Sequence, residues 1–136
     1  MTDPVVDQLR EHGIKPTSQR RVVAEVVLAR EQHLTADQVL RRLRDQGHPV
    51  SRATVYNTLS LFARKGLVRE LTIDPRRVVY DSNPRPHHHF YDVDTGELTD
   101  IPESSVELSR LPSLPKGARM DGVDVVVRVR RGRPRA

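Results

Sequence analysis

The chain has 136 residues, enough for one ordinary domain or two small ones. Its 23 Lys and Arg exceed its 18 Asp and Glu by five, and residues 127–136 carry five arginines and no acid, so a basic tail follows a balanced body; such a tail suits nucleic acid or plain solvation. The absence of cysteine excludes disulfides, thiolate zinc sites, iron–sulfur clusters and thiol redox switching, and 4% aromatic content without Trp argues against a large aromatic ligand pocket.

No apolar run approaches a membrane span, and MTDPVVDQLR lacks the basic start and apolar middle of a signal peptide, so a cytoplasmic protein without a membrane partner is expected. Val5, Val6 and Leu9 mark a first helix closed by Gly13. Ser18 is positioned to cap a second, with Val22, Val23, Val26 and Val27 inward and Arg20 and Arg21 outward in its first turn. Thr35 and Gln38 fit a capping box ahead of Val39, Leu40 and Leu43, and Gly47 ends that third helix. Ser51 caps a fourth, SRATVYNTLSLFARKG, with Val55, Leu59 and Phe62 inward.

Two short helices joined by a tight turn outline a helix-turn-helix, whose second helix enters a DNA major groove. The outward residues Arg52, Thr54, Tyr56, Asn57 and Arg64 suit phosphate and base contacts. A helical hairpin with a polar face also occurs in proteins that never meet DNA. LVRELTI and RVVYD, joined by the basic turn at 74–77, then read as two strands, completing a winged helix. Residues 82–86, with two prolines, have the composition of a hinge. Beyond it, HHHFYDV and ELTDI flank the Asp94-Thr95-Gly96 turn, a helix is expected from Glu103 to Arg110, and GVDVVVRVR reads as a final strand. The fold class expected is α+β: a winged helix-turn-helix domain over 1–81, a hinge over 82–86 and a small α/β dimerisation domain over 87–136. An exposed Val-rich strand in so small a unit suggests pairing with a second copy.

His87, His88 and His89, with Asp81, Asp92 and Asp100 nearby, are candidate donors to a metal or haem; a solvated polar run at the mouth of a strand is the simpler alternative. Without thiolates, nitrogen and oxygen donors suit Fe, Mn, Zn or Co. Alternation along a strand puts His87 and His89 on one face and His88 on the other.

Together, residues 13–20 (GIKPTSQR), 33–37 (HLTAD), 51–56 (SRATVY), Tyr80-Asp81 and the histidine run resemble the ferric uptake regulator family. The resemblance implies a homodimeric, metal-responsive transcription factor on a palindromic double-stranded DNA operator. It implies a regulatory metal site of His33, Asp81, His87, His89 and Asp100, for Fe(II) or Mn(II), with Zn(II) also accommodated. Tyr56 and Arg52 match the family's base readers and Lys15 its minor-groove contact; Arg20 and Ser51 are further expected DNA contacts. Asp92 and Thr95 stand where the family usually has paired cysteines, so no cysteine-bound structural zinc is expected. A second metal or haem site keeps only His88 and Glu107, with Pro86 and Val123 where further histidines are usual.

Within the family, the HHHFY run and the missing cysteines look most like the iron response regulator branch, which controls iron and haem genes. The helix-3 and helix-4 wording also resembles cysteine-free peroxide regulators, in which bound Fe(II) promotes oxidation of a ligand histidine. The rival from another class is a metallohydrolase using the His/Asp cluster to activate water. It would need an open coordination position, a general base and a pocket.

Overall fold

In a computed structural model, which describes residues 3–74 and 76–132, the chain divides into two units, Met1–Pro84 and Arg85–Ala136. Helices α1 (Pro4–Glu11), α2 (Ser18–Val27), α3 (Ala36–Asp45) and α4 (Arg52–Arg64) belong to the first unit. Its strands β1 (His33–Leu34), β2 (Arg69–Asp74) and β3 (Arg77–Asp81) form an antiparallel sheet in the order β1-β3-β2. The tip residue Pro75 lies outside the described residues.

Each helix starts where a side-chain oxygen satisfies amides that the helix itself cannot. Asp3 accepts from Val5 and Val6 at α1, and Ser51 from Thr54 at α4. At α3 the capping box is complete: the Gln38 amide reaches Thr35 Oγ1 at 3.1 Å, and the Thr35 amide reaches Gln38 Oε1 at 2.9 Å. At α2 the cap is Thr17, which accepts from the Arg20 amide, and not Ser18 as expected; Ser18 is the first helical residue.

The ends of α3 and α4 are also alike. Gly47 and Gly66 adopt φ of 84° and 77°, which a side chain would resist. Behind them His48 donates to the Leu43 carbonyl and Leu67 to the Phe62 carbonyl, closing the Schellman pattern. The turn after α3 aims α4 as the second helix of a helix-turn-helix.

The core of the first unit is the set of inward positions. Leu9, Val23, Val27, Val39, Leu43, Val55, Leu59 and Phe62 are fully buried, each stabilising by about 1.5–3 kcal/mol. Val22 is only half-buried against them, and Ala24, which the valine pattern passes over, is buried. Strand β1 was not foreseen: two residues carry too little periodicity to show in a sequence.

The second unit holds β4 (His87–Asp92), β5 (Leu98–Pro102) and β6 (Val126–Val129) in the order β5-β4-β6. Strand β5 runs antiparallel to β4 and β6 runs parallel to it. The hairpin turns on Asp92, whose carboxylate accepts the amides of Asp94 (2.9 Å) and Thr95 (3.1 Å), while Gly96 takes φ of 77°.

The helix expected over Glu103 to Arg110 is corrected to one 3-10 turn, Glu103–Ser105. No apolar side of a helix has anything to pack on there, and Pro112 forbids continuation. The basic tail is partly engaged as well: Arg131 Nε lies 2.9 Å from Asp92 Oδ2 and its amide donates to Asp94 Oδ2. Residues 133–136 of that tail lie outside the described residues. Among the described residues no helix is long and apolar enough to cross a membrane.

Candidate metal centre and nucleic-acid face

Two groups of donors arise, one in each unit. In the first, β1 is positioned by Gln32. Its amide nitrogen donates to the Val26 and Val27 carbonyls at the end of α2 (2.8 and 3.1 Å), and its Oε1 accepts from Arg42 Nη1 at 2.8 Å. Held this way, β1 pairs with β3 so that His33 stands opposite Asp81. His33 Nε2 lies 3.1 Å from Asp81 Oδ2, and the other Asp81 oxygen accepts the Asn83 amide at 2.9 Å. Asp81 is buried, which a carboxylate accepts only with partners of this kind.

The chain leaving Asp81 is fixed one residue further. Ser82 exchanges backbone and hydroxyl bonds with Gln32, at 3.1 and 2.9 Å, and donates to the Arg30 carbonyl. Ser82, expected as the first hinge residue, is thus tied to β1.

In the second unit, His87 and His89 share one face of β4, their rings 4.5 Å apart. Asp100, opposite His89 in the register, places Oδ1 3.3 Å from His87 Nε2 and 3.6 Å from His89 Nε2. His87 Nδ1 is 2.6 Å from the Arg85 carbonyl. A carbonyl only accepts, so Nδ1 carries a proton and Nε2 is the ring nitrogen turned toward Asp100. A backbone carbonyl that takes one ring N–H and so orients the other nitrogen is a usual outer support of a metal-binding histidine.

His88 points to the opposite face, and its Nδ1 accepts the Val125 amide at 3.0 Å. The expected second site is not assembled around it. Glu107 is exposed beyond the 3-10 turn, and no hydrogen bond or ion pair among the described residues joins it to His88. The middle histidine instead fastens the approach to β6, beside the His89 amide that donates to the Val125 carbonyl. Neither Arg85's carbonyl nor Val125's amide was visible in the sequence, since both act through backbone.

On α4, Arg52, Tyr56 and Asn57 are exposed and Thr54 half-buried. Thr54 and Asn57 share a polar groove with Thr17, Ser18 and Arg20 at the start of α2. Tyr56 lines a second groove with Thr35, Asp37, Arg76 and Arg77, which joins the helix to the wing. Three expected contacts are otherwise occupied: Ser51 caps α4, Arg20 donates to the Lys15 carbonyl at 3.1 Å, and Arg52 is paired with Asp37. Lys15 is exposed, while Arg64 sits at the far end of α4, about 18 Å along the axis from Arg52 at ~1.5 Å per residue. Asp37 was missed; its place in the first turn of α3, facing the start of α4, was the available signal. Beneath this face, burial raises the Tyr80 hydroxyl above its ordinary pKa, helped by the charge of Glu70, against a hydrogen bond from Ser60.

The model of the Ferric uptake regulator family matches residues 11–125. The peroxide-responsive repressor PerR of Staphylococcus aureus is 31% identical over 96 residues, 71% of this chain; the match spans 65% of that relative's length. Among solved structures, the ferric uptake regulator from Pseudomonas aeruginosa with manganese is 27% identical, with TM-score 0.74, covering 96% of this chain and 100% of that one. The ferric uptake regulator from Francisella tularensis with iron superposes with TM-score 0.68 at 23% identity, over 87% of this chain and 92% of that one, a likeness of fold.

Proposed function

Because the chain belongs to the ferric uptake regulator family, we propose that it is a metal-responsive DNA-binding regulator of transcription that acts as a homodimer, with iron as its signal. In this reading His33 and Asp81 of the first unit and His87, His89 and Asp100 of the second hold one divalent ion.

The observation that carries the reading is the convergence of donors within each unit: Nε2 of His87 and of His89 lie 3.3 and 3.6 Å from one Asp100 oxygen, and His33 Nε2 lies 3.1 Å from an Asp81 oxygen. With Nδ1 of His87 held by the Arg85 carbonyl, Nε2 is the ring nitrogen placed to share a positive species with Asp100, a proton or a metal ion. Three imidazoles and two carboxylates suit Fe(II), Mn(II) or Zn(II), and a manganese-bound relative shares the fold. The bound ion would supply a positive charge on which the five donors converge.

The residues then act as two arms of a clasp. His33 rides on β1, tied through Gln32 to α2 and α3, while His87 and His89 ride on β4. Joining the arms would restrict the angle between the units, and in a dimer that angle sets the separation of the two α4 helices. Half-sites about one helical turn apart, or a multiple, demand one separation. With the arms unjoined, operator affinity would fall in proportion to the population of the correct pose. On DNA, Arg52 and Tyr56 would read base edges, with Asn57, Thr54 and Lys15 on the backbone and neighbouring groove.

The likeness to a peroxide-responsive repressor supports a second reading, in which Fe(II)-dependent oxidation of a ligand histidine releases the operator.

The test is binding to a DNA fragment selected from a random pool, titrated with Mn(II) and, without oxygen, Fe(II), for the unaltered chain, His33→Ala and His89→Ala. Loss of the metal response in both variants is expected; an unchanged response in either would sink the shared site. Mass spectrometry after peroxide, looking for one added oxygen on a ligand histidine in the iron form, decides between the two readings.

A further inference from the structure

Among the described residues, seven large hydrophobic side chains are left exposed, and six of them lie in the second unit: Phe90, Leu108, Leu111, Leu114, Met120 and Val127. They fall into two sets. Phe90 and Val127 are register partners on β4 and β6, and they share one sheet face with Thr99, Val129 and Asp92. A cavity of about 260 Å³ opens on that face, lined by Phe90, Asp92, Glu97, Thr99, Val129 and Arg131. It is smaller than the ~300–1,000 Å³ usual for small-molecule sites and fits side chains better than a metabolite.

The leucines belong to the connection from β5 to β6, residues 106–125, which has no helix or strand and is almost wholly exposed. The connection is far longer than its task. Strands β5 and β6 flank β4, so their near ends are roughly 10 Å apart at ~4.8 Å per strand spacing, a gap that about four extended residues cross. A structureless connection beyond about 12–15 residues inside a small unit usually serves a function.

Its sequence has a period. Leu108, Leu111 and Leu114 recur every third residue, and Pro112 and Pro115 directly follow the second and third. A residue before proline is held extended, and a polyproline II segment repeats every three residues without internal hydrogen bonds, which puts the three leucines along one edge. Among the described residues, none of 107–114 donates a hydrogen bond to another backbone group. The segment ends in a turn in which the Ala118 amide donates to the Pro115 carbonyl at 3.0 Å, with Gly117 at φ 81°.

We propose that residues 107–116 form a strap that crosses to a second copy of this chain, seating its leucine edge on the partner's Phe90–Val127 face. Its occupant is a second copy because one chain carries both halves, an apolar edge and an apolar face, and leaves both exposed. Charge agrees: residues 107–116 carry Arg110 and Lys116 against one acid, Glu107, and the cavity is lined by Asp92 and Glu97 against one base, Arg131. The inference rests on the homodimer proposed above and specifies what makes it.

The absence of cysteine allows a clean test. Leu111→Cys and Thr99→Cys chains of different length, mixed and mildly oxidised, are expected to give a disulfide-linked heterodimer; Thr99 is an exposed strand residue on the cavity. Sedimentation of the unaltered chain and of Leu111→Glu accompanies it, with dimer dissociation expected to rise about tenfold or more, the loss of one buried leucine. A Leu111→Cys/Thr99→Cys double variant that links only within one chain overturns the exchange. A dimer that forms no link between chains also overturns it and leaves the dimer standing. An unaltered chain that sediments as a monomer overturns both.

Discussion

Nδ1 of His88 accepts the amide of Val125 at 3.0 Å, so the middle histidine of the run is a fastener between β4 and the approach to β6. Replacing it by Ala leaves a half-buried amide without that acceptor, at a cost of about 1–3 kcal/mol. Urea unfolding should show the loss, and Mn(II) affinity measured by calorimetry should be unchanged. A His88→Ala chain that keeps its stability and loses metal affinity would reverse the assignment.

His89→Ala should behave in the opposite way. If the proposed site holds Mn(II), the unaltered chain should gain about 2.7 kcal/mol when Mn(II) exceeds its dissociation constant a hundredfold, seen as a rise in melting temperature reversed by chelator. Asp81→Asn and His89→Ala should each lose most of that rise. A variant that melts upward with Mn(II) as the unaltered chain does would exclude its residue from the site.

Arg52 and Asp37 form an exposed pair, and such pairs stabilise by at most about 1 kcal/mol. Asp37→Ala should therefore leave folding nearly unchanged while altering operator affinity, because Arg52 loses its anchor. Arg52→Ala should cost about 1–3 kcal/mol in binding and relax preference at one base pair. Selection of DNA from a random pool by each variant reads both effects.

Thr35 holds the start of α3 through both bonds of its capping box. Thr35→Ala should lower the stability of the first unit by about 1 kcal/mol, and Thr35→Ser by less. Denaturant unfolding followed by far-ultraviolet dichroism measures the difference.

The Thr95 amide, then those of Asp94 and the Arg131 guanidinium, hold the Asp92 carboxyl below the usual carboxylate range, against the opposing effect of its burial. A depressed acid stabilises the fold above the unfolded value of about 3.9 and loses that contribution as pH falls through the lower folded value. Asp92→Asn should thus be less stable than the unaltered chain near neutral pH, with the two converging below about pH 4. A difference that does not shrink as pH falls below about 4 would assign the effect to something other than ionisation.

Long periodic elements were legible in the sequence because each carries its own signals. Thr35 and Gln38 announce α3, Ser51 announces α4, and the Val-rich run after Gly122 announces β6. Strand β1 was not, since two residues have no period and their place depends on Gln32 bonding to α2 and Arg42. The helix expected after Glu103 failed because a capping acid and a polar run do not make a helix without a surface to bury against. Of the donors, His87, His89 and Asp100 meet within the second unit, and His33 meets Asp81 within the first. What fixes their protons and orientations, the Arg85 carbonyl and the Asn83 amide, belongs to backbone and leaves no mark in residue type.

Ser82 bonds to Gln32 and Arg30, so the covalent path from Asp81 to His87 is tied to the first unit through residue 82, and residues 83–86 make the rest of the connection. Four residues reach at most about 14 Å. In the proposed site, a donor set divided over so short a tether would behave as a chelate: with an ion on His33 and Asp81, the remaining donors would meet it at an effective concentration on the order of millimolar or above. Ion affinity would then be set as much by the length of the loop as by the donors. Lengthening 83–86 with Gly-Ser pairs should weaken it gradually, while shortening it below the span should abolish it.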